Sequence, residues 1–147
     1  MTTPESIYNW HRLDARTTSS GQPTEAQLDA LAAIGVRHVI NLAPHSHRHA
    51  LPDEAASVAA LGMRYVYIPV DFSAPTEADF AAFCTAMAEL DNDPVHVHCA
   101  ANYRVSAFFC RYRRDVLGMD AAQAWAEMED VWQPTGVWVA FVEKWPR

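Results

Sequence analysis

The sequence predicts an α/β fold in which helices flank a central, mostly parallel sheet of four to five strands. Two observations carry that expectation. Short β-branched runs alternate along the chain with longer stretches that are apolar every third or fourth residue. One such run, Val95 to His98, leads through a short turn holding a single cysteine, Cys99, into a helical stretch that begins at Arg104. The length of 147 residues, half of them hydrophobic, suits one domain over residues 1–147 with a sizeable core.

The elements follow in order. Ile7 to Leu13 could be a strand, and Thr17 to Pro23 reads as polar punctuation before a helix. Thr24 can cap that helix with Gln27 answering three residues later, Leu28, Leu31 and Ile34 form its apolar stripe, and Gly35 ends it. Val36 to Leu42 reads as a strand, Pro52 to Leu61 as a short helix closed by Gly62, and Met63 to Val70 as a second strand. A loop from Pro69 to Pro75 runs into a helix capped by Thr76 with Asp79 in support, burying Phe80, Phe83, Met87 and Leu90. The break at Asn92-Asp93-Pro94 precedes the strand Val95 to His98, on which His96 and His98 share one face. Beyond it, Val105, Phe108, Phe109, Tyr112 and Val116 mark a helix from Arg104 to Leu117. Arg111, Arg113 and Arg114 near its end complement the helix dipole. Met119 to Asp130 and Thr135 to Trp145 complete the helices, the last with a stripe of Val137, Trp138, Phe141, Val142 and Trp145 suited to packing within the chain.

Composition excludes several classes. A formal charge of −7 disfavours nucleic acid, whose backbone is bound by basic faces. No apolar run approaches a membrane span, and the first residues lack the basic and apolar blocks of a signal peptide. Three cysteines without regular spacing argue for a reducing compartment, and the expectation is a cytoplasmic protein. His45, His47 and His49 alternate in a loop with no nearby carboxylate to fix a metal geometry, so neither a metal nor a cofactor is expected, and the loop reads as a solvated rim.

The chemistry gathers at Cys99. It lies where a strand's carboxyl end meets a helix's amino end, where ligands collect in α/β folds and unpaired N–H groups favour an anion. A free thiol has a pKa of roughly 8.5, and lowering it by three units needs about 4 kcal/mol of differential stabilisation. The helix dipole supplies at most about 2 kcal/mol. Loop N–H groups, the Ser106 hydroxyl and Arg104 must supply the remainder. Cys99 therefore reads as a thiolate nucleophile, and Arg104 as a planar fork clamping an oxyanion. Cys84 and Cys110 lie on predicted helices among alanines and aromatics and read as core.

His98-Cys99-Ala100-Ala101-Asn102-Tyr103-Arg104-Val105-Ser106 resembles the phosphate-binding loop of the protein tyrosine phosphatase superfamily, whose pattern is His-Cys, five residues, Arg, then Ser or Thr. Residues 20 to 42 resemble the amino-terminal part of a bacterial, dual-specificity-like branch. The sequence departs from the pattern twice. Four residues, not five, separate Cys99 from Arg104, the length found in rhodanese-type sulfurtransferases, and the usual mid-loop glycine is absent. Asn102, the next most tolerant of positive φ, can take its place.

The resemblance implies a phosphatase that hydrolyses phosphate monoesters through a thiophosphate on Cys99. Asp71 would be the general acid, and Ser106 would stabilise the departing thiolate. His98 would tune the thiol, while His96 stays structural. His98, Ala100, Ala101, Asn102, Tyr103 and Arg104 would bind the phosphate of a small molecule or phosphoprotein, and Arg48 or a histidine of the rim would assist. The alternatives are a sulfurtransferase carrying a persulfide on Cys99 and a phosphate-binding module without turnover.

Overall fold

The computed structural model describes residues 2–144; the predicted Trp145 contact lies outside them. After a single 3-10 turn at Pro4–Ser6, the elements are β1 His11–Arg12, β2 Thr17–Ser20, α1 Glu25–Ala33, β3 His38–Asn41, α2 Glu54–Ala60 and β4 Arg64–Tyr67. They continue as α3 Glu77–Ala88, β5 Val95–His98, α4 Tyr103–Asp115, α5 Ala121–Glu129 and α6 Val137–Glu143. The five strands form one sheet in the order β1-β2-β5-β3-β4. Only β1 runs antiparallel, against β2; the other pairings are parallel. This is the expected mostly parallel sheet, with β5 at its centre.

Both predicted capping boxes are present, Thr24 with Gln27 at the start of α1 and Thr76 with Asp79 at the start of α3. One apolar cluster joins Ile40, Val95 and Val97 to Phe80, Phe83, Phe108, Trp138 and Phe141. A second joins Val39 to Leu28, Leu31 and Val58. Adjacent strand residues thus feed opposite faces. Helix α6 packs within the chain, its Phe141 ring 5.0 Å from that of Phe108.

Three expectations are corrected. Thr17 to Ser20 is not punctuation but a fully buried strand, the partner of β5. Its polarity is matched by polar partners. His96 Nε2 donates to Ser20 Oγ at 2.7 Å, Ser20 passes its own proton to Gly21 O, and Thr18 Oγ1 donates to His96 Nδ1 at 2.7 Å. Ile34, assigned to the apolar stripe of the first helix, is 47% exposed, because α1 ends at Ala33 and Ile34 is its cap. Dipole complementation does not suffice for the arginines of α4. Arg111 is buried between the rings of Phe80 and Phe141 and forks onto Glu77, and Arg113 pairs with Glu127.

His96 is fully buried, and burial together with the charge of nearby His98 holds its pKa well below the ordinary histidine value. The folded ring stays neutral where the unfolded one, with a pKa of about 6.5, takes up a proton, so stability falls as pH drops below about 6.5. In urea unfolding the His96 ring is expected to contribute a loss of about 1 kcal/mol between about pH 6.5 and 5.5, read as the part of the pH dependence that a His96→Asn variant lacks; equal pH dependence in variant and parent would mean that the ring protonates in place.

Candidate functional site

Cys99 follows β5 directly and is 1% exposed, packed with Val97 and Val105 in the larger apolar cluster. Five peptides lead from it to Arg104, and the carbonyl of each is held by a donor. Cys99 O accepts from His98 Nδ1 at 3.2 Å, Ala100 O from the Gln22 amide at 3.1 Å, and Ala101 O from Asn9 Nδ2 at 2.9 Å. Asn102 O accepts from the Ser106 amide at 3.0 Å, and Tyr103 O from Ser106 Oγ at 2.9 Å. Every peptide here is trans, so its N–H points away from its carbonyl. The amides of Ala100, Ala101, Asn102, Tyr103 and Arg104 are thereby turned from the donors that surround the loop. No side chain caps the start of α4, which leaves its first-turn N–H groups open to an anion.

The curl of the loop comes from Asn102, whose φ of +72° is the left-handed conformation expected of a glycine substitute. Its Nδ2 donates to Asn9 O at 2.9 Å and to Ser19 Oγ at 3.1 Å. Asn9 and the loop therefore hold each other reciprocally. Gly21 bridges to Ala101, and a Cβ on it would stand 2.6 Å from Ala100 O. Only hydrogen fits there.

Arg104 completes the loop. Its Nε and Nη1 are buried without a hydrogen-bond partner, and its Cζ lies 5.4 Å from the centre of the Phe72 ring. Buried guanidinium N–H groups left open are costly, so they mark a place for an anion to accept them. Phe72 is 41% exposed and tied down by Trp138, whose indole N–H donates to Phe72 O at 2.8 Å, and by the ring of Trp132, itself stacked on Tyr103. Asp71 precedes it on the surface, with Oδ1 accepting the Ser73 amide at 2.8 Å. Ser106 is buried, its hydroxyl proton given to Tyr103 O. Thus Cys99, the loop, Arg104 and Ser106 form one unit, and Asp71 is joined to it through Phe72 against Arg104.

The histidine loop borders this unit. His47 lies below the ordinary histidine pKa, first through burial and then through the positive charge of Arg104. It donates to Gln22 Oε1 at 3.1 Å, while Arg48 is exposed. His45 stacks on Tyr67 and accepts from Tyr65. Among the described residues no group of histidines, cysteines and carboxylates is arranged to hold a metal ion, and no helix is long and apolar enough to cross a membrane.

Sequence reasoning missed Glu54. This carboxylate is 1% exposed and meets His98 Nε2 at 2.5 Å. Its position at the start of a short helix gave no sign of burial; pairing with a histidine across the fold is visible only in three dimensions.

Comparison with known proteins places the chain in context. A model of the family described as "PTP-NADK: DSP-PTPase phosphatase fused to NAD+ Kinase" matches residues 5–137. A beta-lactamase hydrolase-like protein of Agrobacterium fabrum is 32% identical over 139 residues, which is 91% of this chain and 31% of that protein. One from Xylella fastidiosa is 30% identical over 141 residues, 83% of this chain and 32% of that protein. The chain spans about a third of the length of these relatives. Among solved structures, a candidate phosphatase from Shewanella putrefaciens CN-32 has a TM-score of 0.83 at 37% identity, covering 94% of this chain and 88% of that one. Pseudomonas aeruginosa TpbA in complex with pTyr has a TM-score of 0.74 at 21% identity, covering 99% and 88%, and shares the fold.

Because the Gly21 contact is with backbone, Gly21→Ala must displace the loop. Urea unfolding is expected to show a loss of about 1–3 kcal/mol; an unchanged midpoint would show that the loop is not held at this point.

Proposed function

We infer the reaction from two premises: the chain belongs to the DSP-PTPase family described by its fusion to NAD+ kinase, and Arg104 holds buried, unpartnered N–H groups at the end of a loop whose carbonyls all face outward. A member of this cysteine-dependent phosphatase family uses its thiolate on phosphorus. The open guanidinium is the observation that carries the assignment to residues here, because it fits the equatorial oxygens of a phosphoryl group.

In the proposed mechanism the Cys99 thiolate attacks phosphorus in line with the ester oxygen. The S–P bond forms as the P–O bond breaks, and Asp71 gives its proton to the departing alkoxide. The amides of residues 100–104 and the Arg104 fork hold the three equatorial oxygens as charge develops on them. Water, losing a proton to the Asp71 carboxylate, then attacks the thiophosphate. Phosphate leaves, and Ser106 turns its hydroxyl from Tyr103 to the released thiolate. His98 holds the Cys99 carbonyl throughout.

The substrate is a phosphate monoester on a small molecule or a phosphoprotein. The recessed sulfur favours a phosphoryl group on an arm long enough to reach it, and the aromatic surface of Phe72, Tyr103 and Trp132 favours an apolar leaving group. Three free thiols fit a reducing, cytoplasmic setting.

Purified protein is expected to release phosphate from an aryl phosphate, with Cys99→Ser inactive and Arg104→Lys lowered by about 10²–10³ in kcat/KM. A sulfur atom added to Cys99 by thiosulfate, seen by mass spectrometry without phosphate release, would instead establish a sulfurtransferase. Phosphopeptide binding without hydrolysis would establish a binding module.

If Asp71 protonates the leaving oxygen, Asp71→Asn should slow hydrolysis of an alkyl phosphate by about 10²–10⁴ and that of an aryl phosphate with a good leaving group far less. Equal rates for variant and parent on the alkyl ester would remove Asp71 from the mechanism.

A further inference from the structure

A line of hydrogen bonds, buried at its inner end, runs from the rim to the carbonyl of Cys99, and the phosphoryl-transfer steps do not use most of it. His47 donates to Gln22, Gln22 Nε2 donates to Glu54 Oε1 at 2.9 Å, and Glu54 Oε2 meets His98 Nε2 at 2.5 Å. His98 Nδ1 meets Cys99 O at 3.2 Å. Glu54 is almost completely removed from water, and His98 completely. A carboxylate is rarely buried unless something within the protein holds it charged.

Donor and acceptor accounting fixes one proton and confines another. A carbonyl oxygen can only accept, so His98 Nδ1 carries a hydrogen. Gln22 Nε2 donates to Glu54 Oε1, and one hydrogen lies between Glu54 Oε2 and His98 Nε2, on the imidazole when the carboxyl is ionised. Burial pushes the Glu54 carboxyl up, but the hydrogen bond and charge of His98 and the Gln22 amide outweigh it and leave it below the usual carboxylate range. An ionised Glu54 requires a second hydrogen on His98, at Nε2.

We propose that Glu54 is a positioning residue for the nucleophile: it holds His98 as a doubly protonated imidazolium, which fixes the Cys99–Ala100 peptide and sets a positive charge beside the thiol. The peptide geometry makes this consequential. Fixing Cys99 O on His98 turns the Ala100 N–H to the opposite side, where the proposed phosphate cradle begins. The catalytic consequence rests on the phosphatase reading; the protonation of His98 does not.

The other titratable groups around the pair do not compete for the proton. His96, on the same strand face with its ring 6.3 Å away, is held neutral by burial. His47 accepts the His49 amide at Nδ1 and donates from Nε2, the pattern of a neutral ring. Burial pushes the Tyr65 phenol well up. Arg104, whose guanidinium also acts on His47, has no acceptor to offer. His45, which acts on Glu54 from the rim, gives its Nε2 to the Tyr65 hydroxyl as an acceptor.

Glu54→Gln keeps the shape and removes the charge. The measurement is the pH dependence of thiolate absorbance in the ultraviolet, with Cys99→Ser as the blank. Burial raises the thiols of Cys84 and Cys110, the latter to about 11, so neither contributes near neutral pH. In Glu54→Gln, checked for folding by its melting curve, the Cys99 transition is expected to move up by about one pH unit, with the acid limb of kcat/KM for an aryl phosphate following it. Glu54→Asp, which restores the charge, should bring most of the shift back. A folded Glu54→Gln that titrates like the parent would overturn the proposal. Should the variant not fold, nitrogen NMR of the parent protein decides: two protonated ring nitrogens on His98 at neutral pH support the proposal, and one overturns it. A thiolate shift without turnover in either protein would support the role of Glu54 and count against the phosphatase reading alone.

Discussion

Everything at the site depends on the direction of five consecutive carbonyls. A loop of four residues between Cys99 and Arg104 can surround an anion only if its peptides turn their N–H groups the same way, and a free chain has no reason to do so. Here each carbonyl from Cys99 to Tyr103 has a donor outside the loop or in the first turn of α4. The donors come from separated parts of the chain: Asn9 before β1, Gln22 after β2, His98 on β5 and Ser106 on α4. Chain entropy is thus spent in folding, and the amides need no rearrangement when charge develops in front of them.

The same constraint explains the polar side of the sheet. Thr18, Ser20, His96, His98 and Glu54 form a buried layer that an apolar core would have stabilised more simply. Each hydrogen bond in it is satisfied at both ends, which keeps such a layer tolerable and rigid. Some buried atoms without partners gather at the loop. Asn102 Oδ1 and two nitrogens of Arg104 are buried without partners. Local conflict of this kind is expected where a protein prepares for a ligand, and the Arg104 fork is the one that an oxyanion would relieve. In a chain of net charge −7, a confined positive site also selects what may approach it.

Much of this was legible in residue order. The strand, cysteine, helix start and arginine of residues 95–106 announced the loop, the capping boxes announced α1 and α3, and the lack of a mid-loop glycine pointed to positive φ at Asn102. What escaped was polar burial. Thr17 to Ser20 has the composition of a turn, and its pairing with β5, where His96 meets its hydroxyls, makes it a strand. Glu54 looked like an ordinary first-turn acid of a surface helix, and Arg111 like a dipole partner, because nothing local shows that His98 in one case and Phe80, Phe141 and Glu77 in the other wait to enclose them. Side chains whose partners lie tens of residues away leave no periodic trace.

The most direct test of the outward-carbonyl arrangement is a crystal structure of the protein soaked with tungstate, a tetrahedral oxyanion that scatters strongly. The account predicts one ion within hydrogen-bond distance of the amides of residues 100–104 and the Arg104 guanidinium, in front of the Cys99 sulfur. A tungstate that settles elsewhere, or amides of residues 100–104 facing away from a bound ion, would contradict it.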